Sequence, residues 1–257
     1  MKKRFTLITG GTEGLGLELC KLFAKDKHNI FIIARNKDKL EKTKSYIEER
    51  YKVEVETLSI DLSVDNSCEK VYEFVEKNNF YVDNLINNAG IGSFGSFVDM
   101  DMSHEETLIN INIKSLTKLT NYFLKDMVRN KDGAILNVAS TAAFCAGPKM
   151  STYYASKAYV LSLTEALHEE VKQYGIKVCC LCPGAIRTEF QSKAKIEKNE
   201  KAKGLIMEAE DVALIAYKEF IKGKTIIIPG FLNRILIIGN KIIGRKLARI
   251  MVFKANK

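Results

Sequence analysis

Residues 9–16 read "TGGTEGLG" and stand between an apolar run, "FTLIT" (residues 5–9), and an amphipathic stretch that starts at Gly14. This order predicts a strand, a tight turn and a helix. Glycine accepts the positive φ angles of such a turn and lets a phosphate approach the backbone without a Cβ in the way. The first N–H groups of the helix can then bind the anion. Gly10, Gly14 and Gly16 are therefore predicted to form a phosphate-binding turn.

The alternation of short apolar runs with longer amphipathic runs continues along the chain. Further strands are predicted in "NIFIIAR", "VEVETLSI", "VDNLINN", "GAILNVAS", "IKVCCLC" and "TIIIP", and helices over residues 14–26, 37–50, 65–78, 103–130, 151–174 and 208–221. Strands that alternate with helices pair in parallel through right-handed crossovers. The predicted fold is therefore α/β, a doubly wound (Rossmann) sheet of seven parallel strands with helices on both faces. Residues 1–230 are assigned to this single dinucleotide-binding and catalytic domain, and residues 231–257 to a helical tail.

The net charge of +9 is concentrated in that tail. Residues 231–257 hold seven of the 40 basic residues and none of the 31 acidic ones, so the rest of the chain is nearly neutral. A nucleic-acid-binding domain usually has a broad basic surface. No nucleic-acid partner is therefore expected.

Cysteine usage and hydropathy favour a cytoplasmic protein. The six cysteines include no CxxC pair, and three lie in the apolar run "KVCCLC", so buried reduced thiols are expected rather than disulfides or a zinc site. The three histidines are scattered, and no metal site is predicted. The N-terminal apolar run is too short for a signal peptide, and no apolar stretch reaches the roughly 18 residues of a membrane-spanning helix.

The second predicted strand is followed by "ARNKDKL". Sites that select NAD place an acidic residue there to bind the ribose hydroxyls. This chain has Arg35 at that point and Lys39 one helical turn later. Cations suit a 2′-phosphate. NADP(H) is therefore the expected cofactor, with at least about tenfold preference and with NAD(H) as the alternative.

Residues 153–157 read "YYASK", which places two tyrosines near one lysine on a predicted helix. Tyr153 is four residues and Tyr154 three residues before Lys157, and both spacings put the tyrosine and the lysine on one helix face. A tyrosine beside an ammonium group is a candidate acid/base pair. Helical geometry alone does not choose between the two tyrosines.

Over roughly residues 4–230, the sequence resembles the classical short-chain dehydrogenase/reductase family. The resemblance rests on the TGxxxGxG spacing of the glycine turn, on "NNAG" (87–90), on the asparagine in "NINIKS" (110–115), on "YYASK" and on "PG" (183–184). It implies hydride transfer between NADP(H) and a carbonyl or alcohol substrate. It selects Tyr153 as the general acid/base through the YxxxK motif. Ser140, 13 residues earlier in "NVAS", matches the family's serine.

The resemblance implies a catalytic set of Asn112, Ser140, Tyr153 and Lys157, with Asn110 as the competing choice for the asparagine. Ser140 would donate a hydrogen bond to the substrate oxygen. A free tyrosine has a pKa near about 10. Lys157 and the positive charge of an oxidised nicotinamide are expected to lower that pKa. Tyr154 is expected to pack or to border the pocket.

The resemblance also implies the cofactor site. Asp61 and Leu62 would border the adenine, Asn88–Gly90 the ribose, and Thr188 the nicotinamide carboxamide. Glu13 departs from the family pattern, because many NADP-using relatives carry a basic residue there, and it would oppose a 2′-phosphate. The implied cofactor residues are Gly10, Thr12, Glu13, Gly14, Leu15, Gly16, Arg35, Asn36, Lys39, Asp61, Leu62, Asn88, Ala89, Gly90, Tyr153, Lys157, Pro183, Gly184, Ile186 and Thr188.

The tail supports two interpretations. From Lys241 on, Ile242, Ile243, Leu247, Ile250 and Met251 can share a helical face from which Lys241, Arg245 and Arg249 point away. A basic amphipathic helix of this kind can lie on an anionic membrane surface, or it can pack on the domain or on a partner subunit. Similar tails occur in a bacterial branch of the family, whose members are often homodimers or homotetramers.

Three alternatives to a carbonyl reductase of this type remain. An epimerase or dehydratase of the extended branch would need TGxxGxxG spacing and a larger C-terminal domain. A non-catalytic nucleotide sensor or scaffold would usually lack the tyrosine or the lysine. A membrane-associated reductase of acyl or lipid ketones would unite the site and the tail. The polar stretch 189–203 is a candidate lid over the site.

Overall fold

A parallel sheet of seven strands organises the part of the chain that the computed structural model describes, residues 2–190 and 206–256. The sheet order is β3-β2-β1-β4-β5-β6-β9, and every neighbouring pair is parallel, as predicted. β7 and β8 pair separately. The strands are β1 (Lys3–Thr9), β2 (Ile30–Ala34), β3 (Val55–Ser59), β4 (Phe80–Asn87), β5 (Ala134–Val138), β6 (Lys177–Leu181), β7 (Ile186–Arg187), β8 (Met207–Glu208) and β9 (Ile226–Ile227).

Helices cover both faces of the sheet. One core packs α1, α2 and α7 against it, and a second core packs α3 and α5 against the opposite face. The central strands are buried on both faces, so they are nearly continuous apolar runs. The helices are α1 (Gly14–Lys25), α2 (Lys37–Tyr51), α3 (Ser67–Lys77), α4 (Met102–Ile109), α5 (Leu116–Asn130), α6 (Ser151–Val171), α7 (Ala209–Ile221) and α8 (Phe231–Ala255). The predicted doubly wound fold is confirmed.

The predicted helix over residues 103–130 is interrupted. α4 ends at Ile109, a π-helical stretch covers Asn110–Ser115, and α5 follows. π-helical insertions recur at functional sites because they rotate a side chain out of the regular helical position. The apolar periodicity of the segment gave no sign of this interruption.

The tail also departs from its predicted shape. α8 begins at Phe231, ten residues before Lys241, and Gly244 breaks its helical geometry with φ 77° and ψ 158°. A positive φ of this size costs glycine little. The predicted apolar face from Ile242 to Met251 is therefore divided between two helical segments that meet at Gly244. Each helix among the described residues is too short or too polar to span a bilayer.

Strand order reverses between β1 and β4, which lie side by side in the centre of the sheet. Open α/β sheets bind ligands outside the carboxyl ends of the strands at such a switch point. The glycine turn after β1 and the "NNAG" segment at the end of β4 meet there. From residue 191 on, the predicted lid (189–203) lies outside the described residues.

Candidate active site

The glycine turn has the conformation that its sequence predicts. Gly10 and Gly14 have φ angles of +68° and +52°, which belong to the left-handed region. Gly16 stands in the first turn of α1, where a Cβ would press on the carbonyl oxygen of Gly10 and lie 2.5 Å from Nδ2 of Asn88. A Cβ on Gly14 would lie 2.9 Å from Cγ2 of Thr188. The turn is thus a cradle lined by backbone, which fits a cofactor phosphate at the helix N-terminus.

Asn88 and Thr9 hold this turn against β4. The Asn88 side-chain amide donates to the carbonyl oxygens of Thr9 (3.0 Å) and Gly10 (3.1 Å). Oγ1 of Thr9 accepts from the backbone N–H groups of Asn88 (3.0 Å) and Ala89 (2.9 Å). The Asn88 side chain, predicted to line the ribose, therefore shapes the turn. Thr9 was missed as a site residue, although it is the first letter of the motif.

The charged residues expected near a 2′-phosphate form three ion pairs. Nζ of Lys39 lies 2.6 Å from a carboxylate oxygen of Glu13 and 3.7 Å from one of Glu189. Nη1 of Arg35 lies 3.8 Å from Oδ2 of Asp61, and the Arg35 side chain is 64% exposed. Lys39 thus offsets the charge of Glu13, while Arg35 makes a long, exposed contact and presents its guanidinium to solvent.

The remaining predicted cofactor residues have varied environments. The Asn36 side chain caps α2 by accepting from the Lys39 backbone N–H at 2.8 Å. Leu15 and Leu62 are buried apolar side chains. The Pro183 carbonyl accepts from the Thr141 N–H at 2.8 Å. Partly buried residues of the set are Thr12, Gly184, Ile186 and Thr188.

The carboxyl end of β5 brings the predicted catalytic groups together. Lys157 is buried, and its Nζ donates to the carbonyl of Val138 at 2.9 Å. The Ser140 hydroxyl donates to the Pro183 carbonyl at 3.4 Å and lies close enough to the Tyr153 phenol to lower its pKa in part. Nζ of Lys157 lies 5.8 Å from the centroid of the Tyr153 ring. The serine, tyrosine and lysine of the resemblance therefore form one cluster.

The structure separates the two adjacent tyrosines. Tyr154 packs against a different segment: a side chain at Gly147 would collide with its ring, and the Asn256 side chain lies close enough to its hydroxyl to lower its pKa in part. The YxxxK motif selects Tyr153, and Tyr153 is the tyrosine that lies beside Ser140. Its catalytic role stays a prediction.

The pKa of Tyr153 differs in direction from the sequence expectation. Burial raises it to about 12, and the nearby Ser140 hydroxyl opposes this rise only in part. Burial disfavours the charged form of any acid. The protein's own groups therefore keep Tyr153 protonated near neutral pH, which suits a proton donor to a carbonyl oxygen.

Asn112 occupies the π-helical stretch and is fully engaged. Its Oδ1 accepts from the N–H of Ile91 at 3.0 Å, and its Nδ2 donates to the carbonyl of Ile91 at 2.9 Å and to Oγ of Ser156 at 3.1 Å. A Cβ on Gly90 would lie 3.2 Å from Oδ1 of Asn112 and 3.4 Å from Nζ of Lys157. The structure thus places Asn112 at the cluster. Ser156, missed from the sequence, stands three residues after Tyr153.

Lys157 is expected to cost the fold stability at neutral pH. Burial lowers its pKa from 10.5 to about 8, so the folded state holds the charged form at a penalty below pH 8. Stability rises as pH increases from about 8 to the unfolded value of 10.5, because the unfolded chain then binds more protons. Lys157→Met should therefore raise the free energy of unfolding at pH 7 by about 2 kcal/mol, after allowance for the lost hydrogen bond to Val138.

Urea unfolding of both proteins at pH 7 and well above pH 10.5 measures this effect. The advantage of Lys157→Met should disappear at the higher pH, where the wild-type lysine is neutral in both states. An equal advantage at both pH values would contradict the assigned pKa direction.

Comparison with known proteins identifies the family. Residues 4–199 match the family model for short chain dehydrogenases. The very-long-chain 3-oxoacyl-CoA reductase of Rattus norvegicus is 34% identical over 199 residues, which is 76% of this chain and 62% of that protein. The matched stretch thus spans about six tenths of that curated relative.

Comparison with solved structures supports the same family. A short-chain dehydrogenase from Sphingobium yanoikuyae in complex with NADPH has a TM-score of 0.82 and 30% identity, and the match covers 89% of this chain and 88% of that one. A 7beta-hydroxysteroid dehydrogenase gives a TM-score of 0.83 at 25% identity, with 92% and 91% coverage. The fold and the site define a dinucleotide-binding oxidoreductase scaffold, and the chain belongs to the short-chain dehydrogenase family. The likeness of its tail to a bacterial branch stays a prediction.

Proposed function

We propose that this chain is an NADPH-dependent carbonyl reductase. The observation that carries the proposal is the cluster of Ser140, Tyr153 and Lys157 at the sheet edge where the glycine turn also lies. NADPH, when bound, supplies the hydride to the carbonyl carbon. Tyr153 gives its phenolic proton to the carbonyl oxygen, and the Ser140 hydroxyl donates a hydrogen bond to that oxygen as negative charge develops.

Two direct tests follow. The purified full chain is titrated with NADPH and with NADH, and the signal is energy transfer from tyrosine to the reduced nicotinamide. Loss of nicotinamide absorbance with a panel of ketones then measures turnover. Binding without turnover across the panel would favour the sensor or scaffold alternative, and binding of neither nucleotide would remove the proposal.

Arg35 is expected to set the preference for NADPH. Arg35→Met should weaken NADPH binding about tenfold or more, because it removes the guanidinium that can pair with the 2′-phosphate. NADH lacks this phosphate, so its dissociation constant should change about twofold at most. The measurement is the same fluorescence titration with both nucleotides.

The matched control is the double variant Lys39→Met with Glu13→Gln. It removes both charges of the 2.6 Å ion pair together and leaves the local net charge unchanged. Its NADPH affinity should stay close to that of the wild type. If the double variant loses as much affinity as Arg35→Met, Lys39 contacts the phosphate as well as Arg35.

A second candidate function is reduction of acyl or lipid ketones at a membrane surface. Two observations favour it: the Rattus norvegicus relative is named as a very-long-chain 3-oxoacyl-CoA reductase, and the tail combines basic charge with exposed apolar residues. We place such an enzyme in the cytoplasm with peripheral membrane contact, and its family relationship suggests a homodimer or homotetramer. Turnover confined to short polar carbonyls would exclude this substrate class.

A further inference from the structure

The C-terminal helix α8 exposes an apolar surface that no other described residue covers. Among the described side chains of its first segment, before Gly244, those of Asn233 and Ile237 are buried. Phe231 is 75% and Ile242 78% exposed. The exposed apolar residues of this segment are Phe231, Leu232, Ile235, Leu236, Ile238 and Ile242. Contiguous exposure of this kind marks an interaction surface.

The sign of the surrounding charge limits what can cover this surface. Residues 231–257 contain seven basic and no acidic residues. Arg245, Lys246 and Arg249 are exposed directly beyond the bend at Gly244. A second copy of the chain would bring a further seven basic residues and no acidic ones in its own tail. An anionic bilayer surface complements both the apolar residues and the positive charge.

Both ends of α8 contact segments beside the reacting groups. At the start of the helix, Asn233 donates to the Pro229 carbonyl at 2.8 Å, and a Cβ on Gly184 would lie 2.6 Å from its side chain. At the end, the Asn256 side chain donates to the Pro148 carbonyl at 2.9 Å. The loop with Pro148 connects Ser140 to the helix of Tyr153.

We infer that α8 binds the surface of an anionic phospholipid bilayer and thereby holds the reductase site close to that surface. The apolar side chains enter the headgroup region, and the basic side chains contact lipid phosphates. Because the ends of the helix touch the segments on both sides of the site, a carbonyl substrate dissolved in the bilayer would have a short path to Tyr153. This last step rests on the proposed function, whereas membrane binding does not.

Vesicle sedimentation with the full chain tests the binding. The probes are vesicles of phosphatidylcholine alone and vesicles of equal parts phosphatidylcholine and phosphatidylglycerol. We expect binding to the anionic vesicles only, weakened by salt. Ile238→Asp should reduce it about tenfold or more. Val64→Asp, at a site 59% exposed against 58% for Ile238, is the matched control and should bind as the wild type does.

The charge is tested separately. Arg245→Gln and Arg249→Gln should each weaken binding about fivefold, whereas Lys172→Gln, at an exposed site on the domain, should not. Equal binding to both vesicle types, or equal binding by Ile238→Asp and the wild type, would overturn the inference. So would a stable dimer in light scattering that Ile238→Asp dissociates, together with absence of vesicle binding, because the apolar surface would then be a subunit interface.

Activity distinguishes this inference from the proposed function. Anionic vesicles should lower the KM for a long-chain ketone and leave the KM for a short water-soluble ketone unchanged. Reduction of the short ketone without vesicle binding would overturn the membrane inference alone. Vesicle binding without reduction of any ketone would overturn the proposed function alone.

Discussion

Tyr153→Phe is expected to lower kcat for carbonyl reduction by at least about a thousandfold. The substitution removes one oxygen from a buried side chain and keeps the ring, whose centroid lies 6.1 Å from that of Tyr154 and 5.8 Å from that of Phe190. The fold should therefore remain intact. NADPH affinity should change little, because the phenol's assigned task is proton transfer.

Steady-state turnover and a nicotinamide fluorescence titration measure the two quantities. Tyr154→Phe is the matched control, since it removes the same atom from the neighbouring residue. It should keep kcat within a few-fold of wild type, because Tyr154 packs against Gly147 rather than beside Ser140 and Lys157. If Tyr153→Phe keeps more than about a tenth of wild-type turnover, Tyr153 is not the proton donor.

The sheet was predictable because a simple physical rule controls it. Strands buried on both faces must be apolar throughout, and runs such as "IFIIA" satisfy that rule locally. The glycine turn was predictable for a similar reason, since its backbone needs φ angles that only glycine adopts easily. The cluster at the end of β5 followed from a resemblance rather than from spacing, because helical geometry accepts either Tyr153 or Tyr154.

Other features depended on contacts that sequence order does not contain. The Lys39–Glu13 ion pair joins residues 26 positions apart in the sequence. The sequence alone therefore indicated that Glu13 would repel a phosphate, whereas in the structure Lys39 offsets its charge. The π-helical turn at Asn112 is stabilised by the backbone of Ile91, 21 residues away. The pKa of Tyr153 follows its burial, which the motif does not encode. Each difference arises from tertiary packing that overrides a local expectation.

The structure of the tail, residues 231–257, was likewise predicted only in part. Its composition correctly indicated a basic, apolar helix, but the periodicity count began at Lys241, whereas α8 begins at Phe231. Gly244 was not recognised as a bend, because an isolated glycine within a helical pattern is compatible with a continuous helix. The exposed face before Gly244 is therefore larger than the sequence indicated, and the surface available for contact changes with it.

Gly16→Ala is expected to abolish measurable NADPH binding and to lower the free energy of unfolding by about 2 kcal/mol. A Cβ at this position would press on the Gly10 carbonyl oxygen and lie 2.5 Å from Nδ2 of Asn88. Those atoms fix the phosphate cradle, so it cannot make room without losing its hydrogen bonds. Alanine is a better helix former than glycine by about 1 kcal/mol, and Gly16 is helical, so helix propensity predicts the opposite sign.

Gly239→Ala separates the steric effect of an added Cβ from the effect of helix propensity. Gly239 is also helical, but a Cβ there meets no atom within 4 Å, so this control should be neutral or slightly stabilising and should bind NADPH normally. Urea unfolding and the nucleotide titration, applied to both variants, measure stability and binding. Normal NADPH affinity in Gly16→Ala would mean that the glycine turn does not hold the cofactor phosphate. Because Ser140, Tyr153 and Lys157 are untouched by the change, the phosphate-binding assignment would then fail independently of the assignment of the proton donor.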